Sequence, residues 1–573
     1  MTKKIICLIL ALVMLAGIAL TSCSQSEEEK QSDIAEKASE SAMTLSMYIM
    51  TENKLSEQTK KDISAAVTAI TEERLSTKLI LRFYTEAEYY EALDKAFADR
   101  KKAEAAGTVN KVEEIVNDDP TIDKESGEIK INYPAIADYQ VDIFYLGGRA
   151  NYDKYNELGL LSDLGGEIDA SIRTSVHGQY IKAMEALNNK KTYAIPTNGV
   201  IGEYTYLMLN KKAMNEAYRR NESGENDYSA YTSITCDGVQ DLLTFVSDST
   251  EMFGDYDKIY TNLSDKELLI NNFKTWSFNE RGEVSDGFSV LGGFYPDSYD
   301  FLTEGEYVPV ENLFENERFV NDLTVLKNYD ANGYVVSEDE KTYDGTFAVG
   351  YVKGGAELVE KYGDEYEMIV LESPKLDAQT LYNDMFAVST QTSALDRSMD
   401  VISLLYTDET LRNLLLYGIE DDHYQLVDTE VTNKYGEKIL AVQRFNENYI
   451  LTPEKTGNVF NAYPLVGESL SLREFQTKQN REAKIDMTLG FNVGTANADH
   501  VASVKALSDE IFADYEALEV DPSKDGADIA EFIEAARVKV SESEAVAYLL
   551  NAENTDSLVA VYNAWLKTNK VIK

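Results

Sequence analysis

The chain has 573 residues, with 100 Asp and Glu against 54 Lys and Arg, for a formal charge of −46. That balance speaks against nucleic acid, which demands a basic face, and against electrostatic attachment to anionic lipid; it suits solubility outside the cell. One core rarely covers this length, so two or more domains are expected, and the three Cys and three His are too scattered for a thiolate metal site.

Lys3 and Lys4 precede an apolar run from Ile5 to Leu20, and Leu20-Thr21-Ser22-Cys23 follows. Positive charge, a short apolar core and small residues before a cut site make residues 1–22 a secretory signal. The run is about the minimum length for a membrane span, but the polar tract behind it favours a cleaved leader. A Cys directly after the small residues resembles the lipobox of bacterial lipoproteins. The resemblance implies that Cys23 is diacylated and becomes the first mature residue, and two acyl chains anchor stably. Residues 24–43 are polar, charged and free of aromatics, so they cannot fold alone. Residues 23–43 read as a flexible tether reaching on the order of 25 Å. Cys7 leaves with the leader, so Cys236 is the single thiol of the body and no intrachain disulfide forms.

The body opens with a strand, Thr44–Met50, and a loop that carries Glu52 and Asn53. A helix from Ser56 to Leu75, a strand Lys78–Phe83 and an amphipathic helix Glu86–Ala106 follow. This alternation predicts an α/β lobe with a largely parallel sheet. Residues 107–128 form a polar surface excursion. A third strand runs through Val141–Leu146 into Gly147-Gly148-Arg149, and ligands of open α/β sheets gather at such strand ends. The block from Lys191 to Asn210 begins and ends as strand, with Pro196, Asn198-Gly199 and Gly202 between. Turn residues there make it a crossing from one lobe to another.

The second lobe holds Trp276 among Phe278, Phe288, Phe294, Tyr295, Tyr299 and Phe301. A strand Thr346–Tyr351 leads to Asn383–Thr390, a return crossing. A helix Met399–Tyr417 precedes the run Tyr417–Tyr424, whose Asp421-Asp422-His423 reads as a capped turn rather than a metal ligand set. Residues 427–495 are mixed and turn-rich. Helices close the chain near 501–518, 526–539 and 543–568. No internal repeat is visible.

Three stretches carry a wider resemblance: Asp142-Ile143-Phe144-Tyr145 with its Gly-Gly-Arg loop and Gly159-Leu160-Leu161; Tyr193-Ala194-Ile195-Pro196 through Glu203 to Leu209-Asn210-Lys211; and Leu416-Tyr417-Gly418-Ile419-Glu420 ahead of His423-Tyr424. On these the body, residues 44–573, resembles the family 1 extracellular solute-binding proteins of carbohydrate ABC importers, the group of the maltodextrin-binding proteins. The loop between Pro196 and Glu203 is longer here, and segments 107–130 and 427–495 look like added material. The resemblance implies an α/β, two-lobed periplasmic-binding-protein-like fold with crossing hinge strands and a ligand in the cleft. The lobes would be 44–198 with 385–460, and 199–384 with 461–573. It implies a monomer on the outer face of the membrane that captures a carbohydrate for permease subunits, with no cofactor. It also places ligand contacts at Glu52, Asn53, Arg149 and Glu203.

A sugar presents an apolar C–H face and a rim of hydroxyls, so its site needs aromatic faces and fixed polar groups. Asn198 and Tyr204 share the turn of Glu203 and join the candidates. Trp276 is scarce enough to suggest a stacking platform, although a core anchor explains it as well. Glu203 could equally be a solvated strand-end charge. Two rival functions stay open: a lipid-anchored glycoside hydrolase or lyase, and a surface lipoprotein that binds a peptide. Gly-x-Ser-x-Gly, His-Glu-x-x-His and a phosphate-binding Gly-x-x-x-x-Gly-Lys loop are all missing, so no enzyme is expected.

Overall fold

The structure is a computed structural model that describes residues 42–109, 121–122, 129–130, 133–175, 178–187, 191–211, 259–270, 273–294, 310–331, 335–337, 347, 349–432, 438–445, 448–468, 470–486, 488–524 and 526–569. The leader, Cys23, the tether to residue 41, Cys236, Tyr295, Tyr299, Phe301 and most of 107–130 lie outside the described residues. The chain forms two compact units. The first draws its described residues from 1–176, 191–199 and 383–466, the second from 177–190, 200–382 and 467–573. One passage between units falls at Gly199–Val200 and another at Tyr382–Asn383. The sequence pattern puts 177–190 with the first unit; the structure groups it with the second. There the helix Gly178–Leu187 buries Tyr180, Ile181 and Met184, and Leu187 lies against Gly490.

The strands of the two main sheets, in chain order, are β1 (Met43–Thr51), β2 (Thr77–Thr85), β3 (Ile143–Gly147), β4 (Ile195–Pro196), β5 (Tyr204–Asn210), β6 (Ile259–Thr261), β7 (Val335–Ser337), β8 (Val349–Gly354), β9 (Tyr366–Glu372) and β10 (Asp384–Val388).

The sheet of the first unit has the order β2-β1-β3-β10-β4. β1 is buried from Thr44 to Thr51, as suits a central strand covered on both faces. It pairs in parallel with β2 from Met43↔Thr77 to Thr51↔Thr85, and with β3 at Met47↔Ile143. β10 runs antiparallel to both β3 and β4. Helix α1 (Glu57–Leu75) starts at Ser56, whose hydroxyl accepts the Thr59 N–H at 3.0 Å. Helix α2 (Glu86–Ala106) starts with a capping box of Thr85 and Glu88. Helix α2 follows directly from β2 and α1 follows β1 after a short loop, so both place their first turns on the same edge of the sheet.

The expected helix Met399–Tyr417 is two helices, Leu395–Thr407 and Glu409–Tyr417. Asp408 causes the break: its backbone is extended and its carboxylate accepts the Leu411 N–H at 2.8 Å, an N-cap inside an apolar run. The turn-rich segment contains a hairpin, Tyr424–Thr432 with Lys438–Arg444, and a helix, Leu470–Glu482. In the Asp-Asp-His run, the Ile419 N–H donates to His423 Nδ1 at 3.1 Å.

The sheet of the second unit has the order β7-β6-β8-β5-β9, with β5 antiparallel to its neighbours β8 and β9. Of the strand expected at Thr346–Tyr351, Val349–Tyr351 lie in β8, Val349–Gly354; residues 346 and 348 lie outside the described residues. Its core gathers Phe273, Trp276, Phe288, Leu291 and Phe319 with the C-terminal helices Ala498–Glu516, Ala527–Ser541, Glu544–Leu550 and Leu558–Asn569. The helix expected over 543–568 is interrupted between Leu550 and Leu558. No helix among the described residues is long and apolar enough to cross a membrane.

Candidate functional site

Strand register in the first unit lines up one row of residues. Thr85 lies opposite Thr51, Gly147 opposite Asp384, and Pro196 opposite Met385. The parallel β1–β3 pairing, carried forward from Tyr48↔Phe144, sets Thr51 level with Gly147. The segments leaving β1, β2, β3 and β4 therefore emerge at a single carboxyl edge, where β10 begins. Glu52, Asn53, Arg149 and Asn198 all stand on it.

Each is engaged. The Glu52 carboxylate takes a hydrogen bond from Lys455 Nζ at 2.6 Å, and its N–H donates to the Ile450 carbonyl at 3.3 Å. The Asn53 carbonyl accepts the Thr51 hydroxyl at 2.8 Å. Arg149 turns back along its own helix α3 (Arg149–Glu157): Nε donates to Asp153 at 2.7 Å and the guanidinium lies 5.8 Å from the Tyr152 ring. Asn198 is buried in the left-handed region at φ 57°, and its amide donates to Asn458 Oδ1 at 3.2 Å.

The sequence reading misses the centre of this edge. Tyr145 donates its hydroxyl to Asp384. Gly147 makes room for it: a Cβ there would meet the Tyr145 hydroxyl at 2.9 Å. Burial raises the Asp384 carboxyl above its ordinary range, against the hydrogen bond from Tyr145 and the charge of Lys455. Tyr90 accepts the Gly147 N–H at 2.9 Å, and burial pushes its hydroxyl up to about 12. Beside the row lies a cavity of about 370 Å³ lined by Leu55, Tyr84, Lys54, Lys60 and Lys95 among others. The strand-end rule that singles out the Gly147-Gly148-Arg149 loop also applies to Tyr84 and Thr85 at the end of β2, and would have found them. Nothing local marks Asp384 or Lys455, which arrive through pairing with distant segments.

In the second unit β6, β8 and β9 end on the edge where β5 begins. A cavity of about 260 Å³ there is lined by Glu203, Thr205, Lys274, Lys353, Glu372 and Asp486. Glu203 is exposed to it. At one wall Lys274 Nζ donates to Asp486 at 3.0 Å. Burial alone would raise Asp486; the Lys274 charge and hydrogen bonds from Thr488 and Lys274 overcome it and hold the carboxyl at about 2. Tyr204 is buried in β5, its ring against Phe475 and its hydroxyl donating to Glu482 at 2.7 Å.

Trp276 corrects the stacking expectation. It is 1% exposed, with its ring 4.5 Å from that of Tyr562 and 5.8 Å from that of Phe491. Its backbone N–H donates to the Leu291 carbonyl at 2.8 Å. Rarity in the sequence marks a large side chain; it says nothing of which way the side chain faces. Trp276 is a core anchor of the second unit.

No family model matches the chain. A carbohydrate ABC transporter substrate-binding protein of Streptococcus pneumoniae serotype 4 is 23% identical over 209 residues, 34% of this chain and 41% of that protein. This chain is similar to the substrate-binding proteins of carbohydrate ABC transporters. The match spans less than half the length of that relative. Among solved solute-binding proteins, the N-glycan transport protein NgtS of Streptococcus pneumoniae is 19% identical, with a TM-score of 0.48 over 92% of this chain and 99% of that one. A family 1 extracellular solute-binding protein of Alicyclobacillus acidocaldarius is 10% identical, with a TM-score of 0.38 over 87% of this chain and 98% of that one. The sugar-binding protein MalE of Xanthomonas citri is 11% identical, with a TM-score of 0.35 over 87% and 100%.

Proposed function

We propose that the chain is the binding component of a carbohydrate importer, capturing an oligosaccharide at the outer face of the membrane without turning it over. The observation that carries this reading is the register-aligned edge of the first unit. It gathers Glu52, Asp384, Arg149 and Asn198 on one carboxyl edge, with Lys455 on Glu52 and with Tyr84 and Tyr90 beside it. Carboxylates, amides and cations suit a rim of hydroxyls, and amphipathic rings suit the apolar face of a sugar. Glu203 and its polar cavity offer the same chemistry in the second unit. The likeness to carbohydrate substrate-binding proteins supports the reading. The partners that follow are permease subunits in the membrane, with this chain acting as a monomer.

Thermal shift and calorimetry against Man5GlcNAc, a maltooligosaccharide, a monosaccharide and a peptide test it. An oligosaccharide at 100 times its dissociation constant stabilises the fold by about 2.7 kcal/mol. A shift with peptide alone would favour the peptide-binding lipoprotein. Sugar products accumulating beyond one equivalent of protein would favour the hydrolase.

The anchor belongs to the same proposal. Leu20-Thr21-Ser22-Cys23 directs diacylation of Cys23, so the Cys23→Ser chain takes up no fatty-acid label and is released from the membrane or keeps its leader. Equal metabolic labelling of wild type and Cys23→Ser would reject the anchor and leave the sugar reading standing.

A further inference from the structure

Arg412 sits in the helix Glu409–Tyr417, 0% exposed. A buried guanidinium is costly unless its donors are satisfied, and an apolar residue of similar volume is often as stable in such a place. Here its donors converge on one short loop. Nε donates to the Asn458 carbonyl at 3.0 Å, a terminal nitrogen to the Pro453 carbonyl at 2.7 Å, and the other to the Thr456 hydroxyl. The planar fork of five N–H groups is the side chain suited to holding several acceptors of a single loop at once.

That loop reaches the candidate binding edge at two points. Lys455 lies on the Glu52 carboxylate at 2.6 Å and within 3.9 Å of Glu86. Asn458 takes the amide of Asn198 at 3.2 Å, and the next residue, Val459, donates its N–H to the Thr197 carbonyl at 3.2 Å. Between them Gly457 has a φ of 132°, and a Cβ on it would stand 2.5 Å from the Leu405 carbonyl. The loop therefore passes tight against the helix Leu395–Thr407 and cannot be repacked by a simple side-chain shift.

We infer that Arg412 is a positioning residue for the binding edge: it clamps the strap Pro453–Asn458, which sets Lys455 against Glu52 and Asn458 against Asn198. The inference rests on the proposed carbohydrate site. Arg412 touches no ligand; it decides whether the polar groups of the edge stand at fixed spacing before a sugar arrives, and misplacement by an ångström is enough to cost affinity.

The test compares the full chain with Arg412→Lys, Thr456→Val and a control, Val67→Ala, which truncates a fully buried side chain of α1. Lysine keeps the charge but offers one point donor in place of the fork. Hydrogen exchange of residues 450–459 and calorimetry with Man5GlcNAc are read on each protein below its melting transition. The expected result is faster exchange confined to the strap and an affinity lowered about tenfold or more in Arg412→Lys, with a smaller loss in the same sense for Thr456→Val. Val67→Ala melts earlier but keeps wild-type affinity and strap exchange. Unchanged strap exchange in Arg412→Lys would overturn the inference, as would an affinity loss matched by Val67→Ala. A wild-type chain that binds no oligosaccharide would sink the carbohydrate reading instead, while strap exchange still decides whether Arg412 clamps the loop.

Discussion

Trp276→Ala destabilises the second unit by about 3–5 kcal/mol, the cost of emptying a large aromatic from a packed core. Its ring lies against Tyr562, Phe491 and Phe278, and Tyr562 and Phe491 pack in turn on Trp565 and on each other. Removal leaves a void lined by groups held on β-structure and on a C-terminal helix, which cannot collapse together. Aromatic pairs of this kind contribute about 0.5–1.5 kcal/mol each beyond area burial, so neighbouring rings lose partners too. Urea unfolding followed by circular dichroism reads the loss, and calorimetry of the folded variant shows oligosaccharide affinity unchanged. A variant that melts like wild type yet binds sugar more weakly by about 1–3 kcal/mol, the scale of aromatic stacking on a ring ligand, would return Trp276 to the site.

Lys274→Met is the second large effect, and it depends on pH. Lys274 and Asp486 are both largely buried, with 15% and 12% of their side chains exposed. Removing one partner of a buried pair leaves an uncompensated charge and costs about 3–5 kcal/mol. In the wild-type protein the folded carboxyl sits at about 2, below the ordinary value of 3.8. A depressed folded value means the carboxylate contributes stability above pH 4, roughly 2–3 kcal/mol, and that this is lost as the pH falls toward 2. In Lys274→Met burial acts without its counterweight and the carboxyl rises, so protonation relieves the variant in the same range. The gap between the two proteins in urea midpoint is therefore widest at pH 7 and narrows toward pH 3. Lys274→Met combined with Asp486→Leu recovers most of the loss, since an apolar pair of similar volume carries no desolvation cost. A gap that stays constant with pH would show that Asp486 is not the group left exposed to the loss of Lys274.

The two predictions bear on different tasks of the second unit. Trp276 holds the core on which β5 and the C-terminal helices rest. The Lys274–Asp486 pair forms a wall of the cavity that Glu203 faces, so its loss disturbs both stability and the polar lining a ligand would meet. Comparing affinity in the double variant, where stability is restored, with that in wild type separates the two contributions.

The sequence by itself determined the first strands and helices of the first unit. Buried-strand patterning at Thr44–Met50 and Lys78–Phe83 predicts β1 and β2, which extend by a few residues to Met43–Thr51 and Thr77–Thr85. The amphipathic helix expected over about Glu86–Ala106 spans those residues, because apolar spacing is a short-range signal. The loops after Met50 and Leu146, and the turn around Asn198, were readable as places where polar groups stand clear of a sheet. Only tertiary structure decided which of these groups meet. Glu52 and Lys455 are 403 positions apart and Tyr145 and Asp384 are 239 apart; Tyr145 meets Asp384 because β10 pairs between β3 and β4, and Lys455 meets Glu52 because the strap Pro453–Asn458, to which Arg412 donates, lies on the same edge. Asp408 ends a helix that apolar periodicity alone would run through, since its carboxylate caps the next one. Trp276 was visible as an unusual residue, but whether it faces ligand or core depended on helices from the far end of the chain closing over it. A side chain's exposure is set by what packs on it, and that is a property of the folded neighbours and not of the local sequence.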